Sequence, residues 1–267
     1  MNIIKSVAKN TFIEAIRDRV LLSLLLFVLL LILSSFFLGE LSAEQHNKIM
    51  KDIGLSAISV IGIVITIFLG MGLVYKEIEK KTIYNIFSKP INRYEFIIGK
   101  YIGLAFTIFV VTVLMSFILF VFLYLSTLGN EEFVRFYYGG LYHLEFIKAV
   151  YFQYLEFLVI IGLVLLFSSF TSPILTVLFT FFSVLIGRIS SDLRLLTEDV
   201  GNSAVGVVTE VIYRIIPNLE KFDVRAEVVY GGEISSSLFM LTTIYAIIYS
   251  SVLVIASIIV FQKKQFK

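Results

Sequence analysis

Six long runs of this sequence carry almost no charge, and they restrict the chain to one kind of fold. The runs are residues 20–38, 53–75, 102–125, 149–170, 171–187 and 238–261. A helix needs about 20 mostly apolar residues to cross a bilayer, where no water satisfies an open backbone. Read as one helix, residues 149–187 would be about 58 Å long, twice the hydrocarbon thickness. Thr171-Ser172-Pro173 supplies a turn, with proline suited to a first helical position, so two spans are expected there. The expected fold class is therefore an all-α membrane protein with six transmembrane helices. Only 16% of residues are charged, against about 25% in soluble domains. That excludes a soluble enzyme, a disordered chain and a nucleic-acid binder. A net charge of +2 gives no grip on a polyanion.

Basic residues set the expected orientation. With six spans, the N-terminal segment, the 76–101 loop and the C-terminal tail share one side. They hold Lys5, Lys9, Arg17 and Arg19, then Lys76, Lys80, Lys81, Lys89, Arg93 and Lys100, then Lys263, Lys264 and Lys267. These are thirteen of the 22 lysines and arginines, so both termini are expected in the cytoplasm of a cell (inner) membrane protein. A five-span chain would put the Lys263-Lys264 tail outside. The first apolar run is too long for a secretory signal core, and no small-x-small cleavage site follows it. Before it, residues 1–19 read as an amphipathic helix on the membrane surface. Ile3, Ile4, Val7, Ala8, Phe12, Ala15 and Ile16 recur there at intervals of three and four.

The 76–101 loop is longer than a simple connection requires. Ile78, Thr82, Ile83, Ile86 and Phe87 fall at helical spacing, with Glu77 and Glu79 in the expected first turn of a separate short helix. Ser88-Lys89-Pro90 would end that helix, and Asn92 with Glu95 would cap the next. The periodicity suits either a docking helix for a cytosolic partner or a solvated basic loop.

These residues carry a family resemblance. Glu77-x-Glu79-x-x-Thr82, Ser88-Lys89-Pro90-x-x-Arg93, Glu95 and Gly99-Lys100 resemble the second-to-third-span loop of type-2 ABC transporter permeases. The branch named for multicopper-enzyme and nitrous-oxide-reductase maturation is the most similar. Ala8-x-Asn10-Thr11-Phe12-x-Glu14-Ala15, Pro217-Asn218-Leu219-Glu220-x-Phe222 and Phe261-x-x-Lys264-x-Phe266 also match it, although Gln265 stands where that branch usually has an acid. The resemblance implies a single permease domain over residues 1–267, dimeric with a second copy or a close paralogue. It also implies a coupling helix seated in a separate ATP-binding cassette subunit. Glu77, Glu79, Thr82, Ile83, Ile86 and Phe87 would make or order that contact, and Lys89, Pro90 and Arg93 would shape the turn into the third span. No cofactor is expected in this chain, with ATP and magnesium on the partner.

The sequence contains no G-x-x-x-x-G-K-[ST], H-E-x-x-H or G-x-S-x-G, and it has no cysteine. Hence the chain is not expected to be an enzyme. His46 and His143 fall in different outer loops and suggest no metal site. Glu156 is the one ionisable residue well inside a span, with Gln153 three residues earlier on the same face. An intramembrane carboxylate is a candidate for substrate contact or proton relay. A start at Ala149 puts it only about 10 Å from the helix end, which favours a packed or interfacial glutamate.

Two stripes of small residues allow close helix approach: Gly62, Thr66 and Gly70, and Thr176, Thr180, Ser183 and Gly187. The resemblance puts these stripes between two permease subunits, whereas ordinary packing inside one subunit suits them equally. Residues 188–237 form a long outer segment. Ala204 to Ile216 within it read as an amphipathic helix, lying on the outer leaflet or dipping in as a lid. The expected function is the transmembrane subunit of an ATP-driven exporter in the lipid bilayer, with no nucleic-acid partner. An ATP-independent carrier or channel and a membrane scaffold are the alternatives.

Overall fold

The computed structural model describes residues 3–40, 46–79, 92–127, 140–190 and 215–263. Among these residues the chain is all helical. Its helices are α1 (Ile3–Ile16), α2 (Arg19–Glu40), α3 (His46–Glu79), α4 (Arg93–Thr127), α5 (Gly140–Phe170), α6 (Pro173–Arg188), α7 (Arg225–Tyr230) and α8 (Ser236–Lys263). A single 3-10 turn, Glu220–Phe222, precedes α7.

Among the described residues, five helices are long and apolar enough to cross a membrane: α2, α3, α4, α5 and α8. The expected span at 171–187 is α6, a helix of 16 residues. At about 24 Å it falls short of the hydrocarbon thickness. The turn before it lies where the proline predicts. Phe170 ends α5 and Pro173 opens α6, so the two helices fold back as a hairpin. Tyr75, at the end of the apolar part of α3, pins that turn. Its hydroxyl lies 2.5 Å from Thr171 O and 3.1 Å from Thr176 Oγ1.

Tertiary contacts fix the relative directions of α3, α4, α5 and α8. α3 and α5 run parallel, since Gln153 meets Leu55 at one end and Tyr75 meets Ser168 at the other. α4 runs opposite to both: Tyr101 bonds Leu158 O, Tyr154 bonds Ala105 O, and Lys100 bonds Leu73 O. α8 again follows α5, with Tyr151 bonding Thr243 and Ser257 bonding Leu165 O. The end of α3, the start of α4 and the end of α8 thus lie together, at what is called here the loop end.

The N-terminal helix joins the loop end too, packed on α4 rather than free. Gly99 and Gly103, one helical turn apart on α4, have no side chain to hold α1 away. A Cβ at Gly103 would lie 2.7 Å from Ala8 O, and one at Gly99 would lie 2.7 Å from Val7 Cβ. Thr11 and Ala15 of α1 are fully buried there.

The core centres on α3 and α5. The most apolar stretch of α3 is 72% buried and that of α5 is 67%, against 22% for α2 and 28% for α8. One large cluster joins them, including Leu55, Ile58, Leu73, Phe152, Phe157, Ile160 and Val164. α2 and α8 expose Leu22, Leu26, Leu30, Leu241, Ile248 and Val252, as lipid-facing helices do. A smaller cluster of Phe96, Ile97 and Phe261 closes the loop end.

The long helices overrun their predicted spans. α5 begins nine residues before Ala149, and its first turns are tied down by Glu145, whose Oε2 accepts Ile234 N–H at 3.1 Å. His46 and His143, expected in loops, fall in the opening turns of α3 and α5. α3 also continues through Lys76 to Glu79, because no glycine or proline stops it. Glu77 and Glu79 therefore continue α3 rather than open a separate helix, and the expected dipole benefit of acids at a helix start does not apply.

Candidate functional site

The most unusual chemistry lies inside the bundle, toward the end opposite the loop. Glu156 is 2% exposed and lies on α5, facing α3 and α6. Arg188, the last residue of α6, reaches it with both prongs of its guanidinium: Nε donates to Oε1 at 2.9 Å and Nη2 to Oε2 at 3.0 Å. Nη2 also donates to Ser59 Oγ of α3 at 2.5 Å. One guanidinium thus ties three helices together. Paired prongs of this kind give direction as well as charge neutralisation. Because α5 starts at Gly140, Glu156 lies about 24 Å along the helix, deeper than a start at Ala149 implies. Gln153 shares the region but does not bond along its own helix. Its Nε2 donates to Leu55 O of α3 at 3.1 Å, and its Oε1 is buried with no partner among the described residues.

A second pair stands beside the first. Arg225 at the start of α7 donates to both carboxylate oxygens of Asp223, and its Nη1 reaches Ser56 Oγ at 2.5 Å. Burial pushes the Asp223 carboxyl up, but the Arg225 hydrogen bonds and charge outweigh it and hold the group below its ordinary value. The same bonds, with Asp223's charge, raise the Arg225 guanidinium. Ser56 and Ser59 sit three residues apart on α3, so one helix face receives both arginines.

The chain after α6 returns as a plug for this end. Leu219 N–H donates to Gly187 O at 2.9 Å, and Asn218 N–H donates to the Tyr245 hydroxyl at 2.9 Å. Leu219, Phe222, Val224 and Val228 enter the main core. The Pro217-Asn218-Leu219-Glu220 motif is therefore a packed closure. Most of the amphipathic stretch expected at 204–216 lies outside the described residues.

At the loop end, the expected helix start is present. Glu95 Oε2 accepts Asn92 N–H at 2.9 Å, and α4 opens at Arg93. Arg93 turns to α8: its Nη1 donates to Gln262 O at 2.8 Å and Phe261 O at 3.2 Å. There a cation satisfies carbonyls that a helix C-terminus leaves open. Phe96 stacks on Phe261 with centroids 5.8 Å apart. Lys100 is wholly buried and donates to Leu73 O at 3.1 Å. Thr82, Ile83, Ile86, Phe87, Lys89 and Pro90 lie outside the described residues, as do the side chains of Glu77 and Glu79.

The small-residue stripes are occupied inside the chain. Phe157 and Val164 of α5 fill the space above Gly62 and Gly70, and Pro217 and Leu219 crowd Gly187. Thr66, Thr176, Thr180 and Ser183 are buried. The stripes let α3, α5, α6 and the plug approach one another.

Residues 18–187 match the model of a family described as ABC-2 family transporter protein. That stretch contains α2 through α6 almost entire, and it is more than half of the chain. The chain belongs to the ABC-2 family. It is accordingly a multi-pass integral membrane protein, the permease component of an ABC transporter. ABC-2 permeases in general work with an ATP-binding cassette partner, which supplies the catalysis that the permease itself lacks. No curated protein matches the chain.

Sequence reasoning missed three features of this ABC-2 permease. In the sequence Arg188 reads only as the first residue of an outer segment, although the short apolar run before it keeps it within reach of the core. The Gly99-x-x-x-Gly103 pair that seats α1 carries a small-residue signal in the sequence. The Asp223-x-Arg225 pair has no signal above any short charged spacing.

Proposed function

We propose that this ABC-2 permease forms the membrane pathway of an ATP-driven exporter and couples to its ATP-binding partner through residues 76–101. The observation that carries the reading is the layout of the loop end. α3 continues four residues past Tyr75 and α4 opens at Arg93, nine residues before the expected third span. The described helices flanking the loop thus extend beyond the apolar segments, and Lys76, Arg93 and the basic residues of α1 belong to this end. That supports a cytoplasmic loop end, with both termini on the same side.

Two copies would assemble with two ATP-binding subunits carrying ATP and magnesium. Closure of those subunits would push the loop as a lever and shift the helices between inward- and outward-facing arrangements. With the small-residue stripes filled internally, the second copy would meet the bulky outer face of α6, where Ile174, Leu178, Phe181, Phe182 and Leu185 are exposed. The substrate would be hydrophobic or amphiphilic, in keeping with walls of Phe, Leu, Ile and Thr. The motifs of residues 76–101 and 217–222 support a likeness to the maturation branch.

The chain has no cysteine, which makes a direct test simple. A single cysteine at Ile83 should react with a membrane-impermeant maleimide only from the cytoplasmic side, and the ATP-binding subunit should protect it. Labelling from the outside overturns the orientation, and unprotected labelling in the assembled transporter overturns the coupling surface.

A further inference from the structure

Beside the plug, where the 3-10 turn meets the first turns of α8, lies an open cavity of about 410 Å³. It is lined by the polar Lys221, Ser235, Ser237 and Thr242 and by Leu238, Leu241 and Tyr245. Lys221 is exposed, with its ammonium 4.6 Å from the centre of the Tyr245 ring. No carboxylate pairs with it among the described residues. One positive charge with no carboxylate partner among the described residues therefore stands beside two serine hydroxyls at one side of a largely apolar hollow.

The hollow is continuous with a bare helix face. Leu241, Ile244, Ile248 and Val252 follow one another along one side of α8 and are 68%, 43%, 59% and 57% exposed. That stripe runs about 16 Å down the helix. α8 has 28 residues, about 42 Å, so its first turn stands at headgroup level when its middle fills the hydrocarbon.

We propose that this groove binds a membrane lipid with an anionic phosphate headgroup, in the leaflet at the end opposite the coupling loop. The phosphate sits at Lys221 with the Ser235 and Ser237 hydroxyls as donors, and one acyl chain lies along Leu241, Ile244 and Ile248. Charge complementarity selects the headgroup, and the exposed stripe selects a lipid over a small soluble anion. The site is independent of the exporter reading, because it requires neither ATP nor a partner subunit.

The test uses the full chain in nanodiscs of phosphatidylcholine with a trace of phosphatidylglycerol bearing a diazirine on its acyl chain. Cross-links should map to residues 238–252. Lys221→Glu should cut them about tenfold, the loss expected when one charge-assisted contact becomes a repulsion. Ser237→Trp, which fills the groove from an exposed position, should do the same. A diazirine phosphatidylcholine probe should label the stretch weakly and without dependence on Lys221. Equal labelling by the two probes, or labelling by the anionic probe that Lys221→Glu leaves unchanged, overturns the proposal.

Discussion

Arg188 and Glu156, 32 positions apart in sequence, meet through two hydrogen bonds of 2.9 and 3.0 Å inside the helix bundle. The pair joins the C-terminus of α6 to the middle of α5, and Ser59 extends it to α3. A short apolar helix is anchored by charge at one end and by Tyr75 at the other.

Breaking one side of that pair should cost far more than replacing both. Glu156→Gln or Arg188→Met alone leaves a charge in a nonpolar setting and should destabilise the chain by about 3 kcal/mol. The double variant Glu156→Leu with Arg188→Met should recover most of the loss. Thermal unfolding in detergent across the four proteins measures the coupling. Additive losses would show that the two side chains act separately.

Arg93 links the start of α4 to the last carbonyls of α8. Arg93→Ala should cost about 2 kcal/mol for its charged hydrogen bonds. It should also lower transport-linked ATPase activity more than it lowers binding of the ATP subunit. Parallel ATPase and co-purification assays separate the two. Equal losses in both would reduce Arg93 to a purely structural cap.

Gly103 lets the backbone of α1 lie against α4. Gly103→Leu should push α1 off its seat and destabilise by about 1–3 kcal/mol, as overpacking does. A disulfide engineered between α1 and α4 in this cysteine-free chain should then form slowly or not at all. Unchanged cross-linking would contradict the close approach.

The Asp223 carboxyl is held below its ordinary value by Arg225, so its folded pKa lies beneath its unfolded one. The pair's stability is then fully present above the unfolded value, near pH 4, and is lost as pH falls through the lower folded value. Melting temperatures of wild type and Asp223→Asn should differ at pH 6 and converge only as the pH falls below the lowered folded value. A gap that persists in acid would remove Asp223 ionisation as its cause.

Much of the fold was legible because hydrophobic runs and turn residues act locally. The α5–α6 break follows from Thr171-Ser172-Pro173, and the α4 start follows from Asn92 and Glu95. The length of α6 was not legible, since an apolar run does not reveal how many of its residues a turn consumes. Nor did the sequence separate a coupling helix from a continuation of α3, because Lys76 to Glu79 carries no stop signal. At the site, Glu156 stood out as a lone carboxylate in an apolar run. Its partner did not, because pairing across 32 residues depends on how far α6 travels back. The stripes at Gly62, Gly70 and Gly187 predicted close packing but not its occupant, because a glycine gives space without naming what fills it.

The most direct measurement is a tagged purification of the chain in mild detergent from its native host, with wild type and Glu79→Lys side by side. Wild type should co-elute with a subunit that carries a phosphate-binding loop and hydrolyses ATP, and Glu79→Lys should release it while keeping its own melting temperature. A wild-type chain that elutes with no nucleotide-binding partner in several detergents, or a Glu79→Lys chain that holds its partner as firmly as wild type, would contradict coupling through residues 76–101.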